Sequence, residues 1–356
     1  MAFDPTYPFE LPSLPPSIHF KDPVFFDLLL KARTELAELN GSSIALPNPM
    51  LLLSPAIVKE SLASSEIENI HTTLVEALQN QLLPESEQRG PDKEVLRYRE
   101  ALLWGFKSLK QIPISTRIVL GIHRQLLAAG GEYRKQQNKI ENVASKEALY
   151  TPPIAANIGT LIGNWENFVN QSEETIDPLI KCAIAHYQFE AIHPFTDGNG
   201  RTGRILMVLQ LAQDNILRLP ILYISGFINK NRSEYYRLLR GITTQSDWTA
   251  FILFMLKAFY SQAKETKTMF LKIMDLYHVF LEEIKKQHPK IYSADLIQQL
   301  FSFPVLTPVR LGSNLDIHYT TASRYLYALT QSGHLKNTKF GKYHFFANHR
   351  LISILS

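Results

Sequence analysis

Residues 178–213 read PLIKCAIAHYQFEAIHPFTDGNGRTGRILMVLQLAQ. Ile180, Ala183, Ile184, Tyr187 and Ala191 share one face at helical spacing. After Gly203 the chain is apolar nearly all round, the pattern of a central, buried helix. Between the two helices, His193 to Arg204 gathers what phosphate chemistry requires. Gly198, Gly200 and Gly203 let the backbone turn tightly and approach a ligand closely. The start of the second helix presents backbone N–H groups and partial positive charge to an anion. Arg201 and Arg204 add guanidinium groups suited to phosphate oxygens. Asp197 is a hard oxygen donor of the kind magnesium takes beside phosphates. His193, with an ordinary pKa of about 6.5, can accept a proton at neutral pH.

GNGRTG also satisfies the dinucleotide pattern G-x-G-x-x-G. That pattern needs a strand before it and a parallel sheet around it, and here a helix precedes it. A Walker A loop is excluded because no Lys-Ser or Lys-Thr follows the glycines. A bare helix–loop–helix connection would explain the glycines and Pro194 but not the histidine, aspartate and two arginines around them. His186, one heptad before His193, reads as a structural histidine.

Working outward, the chain reads as all-α with one polar insertion. Residues 1–16 carry five prolines and should be extended. A helix is expected over 22–41, stopped by Asn40-Gly41. Another should follow Ser54-Pro55, an N-cap with proline at the first helical position, and run through SLASSEIENI. Helical patterns recur at 93–111, 114–128, 156–170, 178–192, 231–240, 247–261 and 265–287. Residues 131–153 are polar and lack that period, so they read as an irregular hairpin ended by Pro152-Pro153. Beyond His288-Pro289, helical patterns at 293–302, 306–312 and 319–331 precede LKNTKF and KYHFFA, which flank Gly341. Ala322, Tyr325, Leu326 and Leu329 share a face of the third helix, and Gly333 closes it. Three short helices and a hairpin are the layout of a winged helix.

The chain has 356 residues, room for two or three domains. No apolar run is long enough for a membrane span, and MAFDPTYPFELPSLPP has neither the positive start nor the apolar stretch of a secretory signal. Cys182 is the only cysteine, so no internal disulfide forms and a reducing, cytoplasmic setting is expected. From residue 291 on, six Lys/Arg (Arg310, Arg324, Lys336, Lys339, Lys342, Arg350) face two acids (Asp295, Asp316), which equals the whole-chain net charge of +4. A basic end on a near-neutral body points to a nucleic-acid or acidic-protein partner.

HPFTDGNGRTGR resembles the Fic signature HPFx(D/E)GNGRxxR at every fixed position. The resemblance implies an all-α Fic core with a small β-hairpin flap, followed here by the winged-helix domain. It implies transfer of AMP from ATP to a Ser, Thr or Tyr hydroxyl of a target protein, with ATP as substrate and Mg2+ as cofactor. His193 would be the general base, Phe195 the anchor of the loop, and Asp197 the magnesium ligand. Gly198, Asn199 and Gly200 would cradle phosphates, with Thr202 and Gly203 continuing the ATP site. Arg201 and Arg204 would take the β- and γ-phosphates. GEYRKQQNKI and YTPP resemble the family's flap, which aligns the target by strand pairing. NKNRSEYYRLL (229–239) resembles the lining of the adenine pocket, with Tyr235 and Tyr236 as candidates. LPNPMLLLSP before SSEIENI is similar to the family's N-terminal region.

Ser64-Ser65-Glu66-Ile67-Glu68-Asn69 resembles the family's inhibitory motif, (S/T)xxxE(G/N). Ser64 and Glu68 stand four apart, on one helix face. Glu66 points elsewhere on the wheel, so the match selects Glu68. Glu68 would pair with Arg204, take the γ-phosphate position and leave the α-phosphate of ATP out of line for attack.

The expected organisation is a regulatory region over 1–90, a Fic core over 91–265, a linker helix over 266–290 and a winged helix over 291–356. The rival reading is a winged-helix DNA-binding regulator whose helical body only senses a nucleotide; sensing alone needs no base. A relative that removes AMP, or transfers another phosphate-containing group, would use the same residues. DNA or a protein could dock on the winged helix, and exposed helices could support a homodimer.

Overall fold

The computed structural model describes residues 3–44, 50–141, 145–171 and 175–356. A turn at Pro23–Phe25, capped by Asp22, leads into α1 (Phe26–Ile44). Asn40-Gly41 does not stop this helix. Glycine costs a helix only about 1 kcal/mol relative to alanine, and the Asn40 side chain turns outward to accept the Arg218 N–H at 2.9 Å. α2 (Met50–Ile67) begins before Ser54-Pro55, so Ser54 is not its N-cap. Met50 to Leu53 are good helix formers, and Pro55, the sixth residue of the helix, removes one backbone N–H bond without ending it. Part of the LPNPMLLLSP resemblance, residues 46–49, lies outside the described residues. α3 (Leu74–Asn80) went unread in the sequence; a capping box between Thr73 and Glu76 sets its start.

α4 (Gly90–Ser108) and α5 (Thr116–Leu126) follow as expected. The polar stretch forms two short antiparallel strands, β1 (Ile140–Glu141) and β2 (Ala148–Tyr150), with Ile140 opposite Tyr150. Next come α6 (Ile158–Asn170), α7 (Pro178–Ile192), α8 (Asn199–Gln213), α9 (Ile224–Lys230) and α10 (Arg232–Gln245). The two helices expected over 247–261 and 265–287 are one, α11 (Trp248–Gln287), because neither glycine nor proline interrupts it. The last part contains α12 (Ala294–Ser302), β3 (Val305–Leu306), α13 (Pro308–Leu315), α14 (Tyr319–Gln331), β4 (Lys336–Phe340), β5 (Tyr343–Ala347) and α15 (His349–Leu355). Among the described residues no helix is long and apolar enough to cross a membrane.

The chain divides into two compact units, each made of two separate stretches: Met1–Asn40 with Arg97–Ala263, and Gly41–Leu96 with Lys264–Ser356. In the first, α7 packs between α6 and α8, and α5 contacts both α6 and α8. α7 is buried along nearly its whole length, which is why its sequence shows so little polar face. Asp177 caps it by accepting the Leu179 N–H at 2.8 Å, Pro178 fills the first position, and Arg33 holds the cap carboxylate at 2.7 Å. Among its described residues the proline-rich start forms no helix or strand, turns where the Tyr7 N–H meets Asp4 O at 3.3 Å, and is tied down: Phe9 N–H to Thr151 O at 2.9 Å, Gln188 Nε2 to Pro12 O at 2.8 Å and Leu14 N–H to Asn164 Oδ1 at 2.8 Å.

In the second unit α2 packs on α3 and α12, and α12 leads to the α13–α14 pair. A three-stranded antiparallel sheet of order β3-β5-β4 closes it, with Val305 opposite Ala347 and Phe340 opposite Tyr343. This is the winged-helix layout. Ala322, Leu326 and Leu329 of α14 are fully buried, Tyr325 is half-buried, and Gly333 ends the helix turn with a φ of 80°. Strand β3 was not legible: two residues are too few to show an alternation.

Candidate active site

Two left-handed residues shape the loop between α7 and α8. His193 caps α7 with φ 48° and ψ 59°, and Gly198 precedes α8 with φ 76°. The first reverses the chain after α7; the second turns it into α8 so that the leading N–H groups of Asn199, Gly200 and Arg201 face outward from the helix start. Asn199 locks the turn by a double clasp on Phe195, accepting its N–H and donating to its carbonyl, each at 2.8 Å. Phe195 is fully buried. Thr202 donates its hydroxyl to Gly198 O at 2.8 Å, so it braces the helix start from within. Gly203 leaves room for a neighbouring side chain: a Cβ there would lie 2.2 Å from Glu190 Oε1, and the Glu190 carboxylate would have to move.

The arginines are the unusual feature. Arg201 is 3% exposed and Arg204 1% exposed, both within the first two turns of α8. Arg201 reaches Asp197 Oδ2 at 3.5 Å, while the Asp197 side chain stays 73% exposed. Two buried guanidinium groups beside a helix N-terminus make a strong anion site. His186 lies below them, its Nε2 2.8 Å from the Tyr235 hydroxyl and its Nδ1 3.9 Å from Glu190 Oε1. Burial first, and the charge of Arg204 second, push its pKa down to about 3, so the imidazole is neutral and structural, as read.

His193 Nδ1 lies 3.3 Å from the Glu190 carbonyl oxygen. A carbonyl can only accept, so Nδ1 carries a proton in this contact, which in the neutral imidazole makes Nε2 the basic nitrogen. That is the tautomer a general base needs.

Two supports escaped the sequence reading. His123 on α5 stacks on Phe195, with ring centroids 3.6 Å apart and planes 3° apart. Its Nδ1 accepts the Gly131 N–H at 2.9 Å, so Nε2 carries the proton and donates to Asp197 O at 2.9 Å. Burial, above all, holds its pKa below the ordinary value. Arg134 is 5% exposed and donates through Nε to His193 O at 3.0 Å, through Nη1 to Gln136 O at 3.1 Å and through Nη2 to Pro153 O. It thus ties both ends of the hairpin to the loop. Tyr150 on β2 adds a bond from its hydroxyl to Ala191 O at 2.8 Å. No local pattern marks these residues, since each acts across a long stretch of chain.

The two tyrosines on α10 part company. Tyr235 is 2% exposed and bonded to His186, whereas Tyr236 is 48% exposed with its ring 5.3 Å from that of Tyr235. Ser64 and Glu68 belong to the second unit. Ser64 is buried in α2, while Glu68 is exposed and stands one residue beyond the helix end, its N–H on Ser65 O at 3.0 Å. The shared helix face expected of them therefore stops short of Glu68. Asn69 has φ 61°, the left-handed state that glycine and asparagine tolerate, which explains the G/N choice at that place.

The protein is thus a helical chain whose two central helices frame His193 and two buried arginines. Three family descriptions match successive parts of it: "Fic/DOC family N-terminal" over residues 26–107, "Fic/DOC family" over 113–211, and "Protein adenylyltransferase SoFic-like, C-terminal domain" over 276–351. The chain belongs to the Fic/DOC family. It is similar to Protein adenylyltransferase Fic of Drosophila grimshawi, 28% identical over 222 residues, covering 58% of this chain and 41% of that protein. It is likewise 29% identical over 194 residues to Protein adenylyltransferase Fic of Drosophila melanogaster, covering 52% of this chain and 34% of that one. The chain thus spans less than half the length of these curated relatives. Among solved structures, a Fic family protein from Desulfovibrio desulfuricans G20 superposes with a TM-score of 0.60 at 20% identity, covering 94% of this chain and 97% of that one. A Fic domain containing signaling protein from Bacteroides thetaiotaomicron VPI-5482 gives 0.55 at 17% identity, covering 70% and 97%. At these identities the likeness is one of fold.

Proposed function

We propose that the chain is a protein adenylyltransferase that moves AMP from ATP to a hydroxyl side chain of another protein, restrained by Glu68. The observation that carries this reading is the pairing of a base-ready His193 with the buried Arg201 and Arg204 across one short, rigid loop. The curated relatives bear the same activity in their names. Mere nucleotide sensing would leave the tautomer of His193 without a purpose.

In the proposed reaction His193 Nε2 takes the proton of the target hydroxyl as its oxygen attacks the α-phosphorus of ATP. The bond from that phosphorus to the bridging oxygen breaks, and pyrophosphate leaves with the electron pair. Arg201, Arg204 and the N–H groups of Asn199 and Gly200 meet the charge that builds on the leaving phosphates. Asp197 is the residue that would hold Mg2+, and its exposed carboxylate suits an ion that keeps waters and substrate phosphates as its other ligands. Bound there, the ion would neutralise phosphate charge and orient the α- and β-phosphates. We assign the adenine to the side of Tyr236, with Tyr235 and His186 beneath it. The exposed Ile140 and Leu149 mark the flap edge that would pair with a strand of the target.

We propose likewise a regulatory region over 1–90, a Fic core over 91–265, a linker over 266–290, DNA or protein docking on the winged helix, a homodimer and a cytoplasmic setting. The test of the main reading uses ATP labelled on its α-phosphate, magnesium and three proteins: wild type, Glu68→Gly and Glu68→Gly with His193→Ala. Strong labelling is expected only for Glu68→Gly. Equal labelling without His193 removes the base, and equal labelling by wild type removes the restraint. Mass spectrometry of the labelled product separates AMP from any other transferred group.

A further inference from the structure

Within the second unit, the segment that carries Glu68 is mounted on the winged-helix module. α2 packs along α12, and α3 packs against β3. Past α3, a short turn at Glu85–Glu87 meets the wing formed by β4 and β5. Gln79 Nε2 donates to Thr338 Oγ1 at 3.2 Å, the Tyr343 hydroxyl donates to Glu87 Oε1 at 3.1 Å, and Lys342 Nζ lies 3.6 Å from the same oxygen. The wing therefore grips the stretch just downstream of the proposed inhibitory glutamate.

That grip is weak and displaceable. The Lys342 and Glu87 side chains are 75% and 42% exposed. Water and salt compete with a pair of this kind.

The same surface is built for an anion. Residues 317–356 contain five Lys/Arg and no Asp or Glu. On α14, Thr320, Arg324 and Tyr327 are exposed at helical spacing, and Tyr327 reaches His344 of β5 at 3.3 Å. Lys336, Lys339 and Lys342 are exposed on the wing beside them. An exposed helix with hydroxyl and guanidinium donors flanked by a lysine-bearing hairpin fits a duplex, the helix facing a groove and the hairpin facing phosphates. An acidic protein would use the lysines but give the hydroxyl and guanidinium donors of α14 no regular array to meet.

We propose that the wing is a latch worked by duplex nucleic acid: phosphates take Lys342 away from Glu87, and the α2–α3 segment carrying Glu68 loosens. The effect on AMP transfer rests on Glu68 being the restraint; the effect on the segment does not.

The test uses the full chain and a labelled 20-base-pair DNA duplex, followed by fluorescence anisotropy in about 50 to 200 mM salt. Binding should weaken steeply with salt, and Lys336→Ala with Lys339→Ala should weaken it at least fivefold. Glu87→Gln should tighten it, since the internal competitor is gone, whereas Lys342→Ala should weaken it. Both of these variants should show faster amide hydrogen exchange over residues 74–87 without DNA, and DNA should speed that exchange in the wild type. DNA should also raise self-labelling by wild type but not by Glu68→Gly. Failure to bind at the lowest salt, preference for polyglutamate over DNA, or unchanged exchange over 74–87 in the complex overturns the latch. If exchange responds but no variant transfers AMP, the transferase reading fails and the latch stands. If exchange responds and Glu68→Gly labels strongly while wild type stays silent with DNA, the coupling to Glu68 fails.

Discussion

His123 lies flat on Phe195, ring centroids 3.6 Å apart, and holds the Asp197 carbonyl at 2.9 Å with the proton that its contact with Gly131 assigns to Nε2. One imidazole thus fixes both the anchor of the loop and the residue before the left-handed Gly198. His123→Phe keeps the stack and loses the donor; His123→Gln keeps a donor and loses the stack. Each should lower kcat for AMP transfer by roughly tenfold to a hundredfold, the scale of a small misplacement of reacting groups. The KM for ATP should move much less. Steady-state kinetics in the Glu68→Gly background reads both.

Arg134 joins His193 O, Gln136 O and Pro153 O with one planar guanidinium. Lysine offers a single point charge and cannot span three carbonyls. Arg134→Lys should therefore detach the hairpin from the loop, raising the KM for the protein target at least fivefold with a smaller effect on ATP. A variant that changes the ATP KM alone would show that the hairpin is held by other contacts.

Acid should unfold the first unit through its buried histidines. The His186 pKa is pushed down to about 3 and that of His123 is also lowered, in both cases mainly by burial. The unfolded chain takes up protons below about pH 6.5 while the folded imidazoles stay neutral. Their contribution to stability is complete above that pH and is lost as the pH falls toward 3, at on the order of 1 kcal/mol per pH unit for each proton. Urea midpoints at pH 7, 5.5 and 4.5 measure this. His186→Gln, which retains a partner for the Tyr235 hydroxyl, should be less stable at pH 7 and show a flatter fall.

Gly121 on α5 faces the indole of Trp104 on α4, where an added Cβ would lie 1.9 Å from the nearest ring carbon. The ring is rigid, so the helices must part. Gly121→Ala should destabilise the protein by about 1–3 kcal/mol, seen as a drop in Tm. Gly159→Ala, with nothing within 4 Å of the new atom, is the control and should be neutral or slightly stabilising.

The anion loop was legible because its residues are contiguous: His193, Asp197, Arg201 and Arg204 fall within three turns of chain, and the helical period on either side excluded a parallel sheet. α14 was legible to the residue because its apolar face, caps and closing glycine agree. What escaped was held by distance. His123 and Arg134 act on residues about 60 to 75 positions away, with ordinary neighbours and no spacing to betray them. Glycine and proline misled twice, since Gly41 and Pro55 lie inside helices that tertiary packing sustains. The hidden break expected near residue 262 had no chemical basis, and Gln262 and Ala263 are buried in a continuous helix. Nor could period or composition show that Gly41–Leu96 folds with Lys264–Ser356.

That last arrangement governs how the protein can be divided. A fragment cut after residue 263 retains Gly41–Leu96 but strips α2 and α3 of α12 and β3, the elements they pack against. Apolar faces of α2 meant for α12 would then meet water. Trimming the tail to isolate the loop between α7 and α8 would leave an orphaned half-domain prone to self-association, and excising both stretches together would cut through α1, α4 and α11, where the boundaries between the units fall. Modular inheritance of this protein therefore has to respect three breakpoints at once.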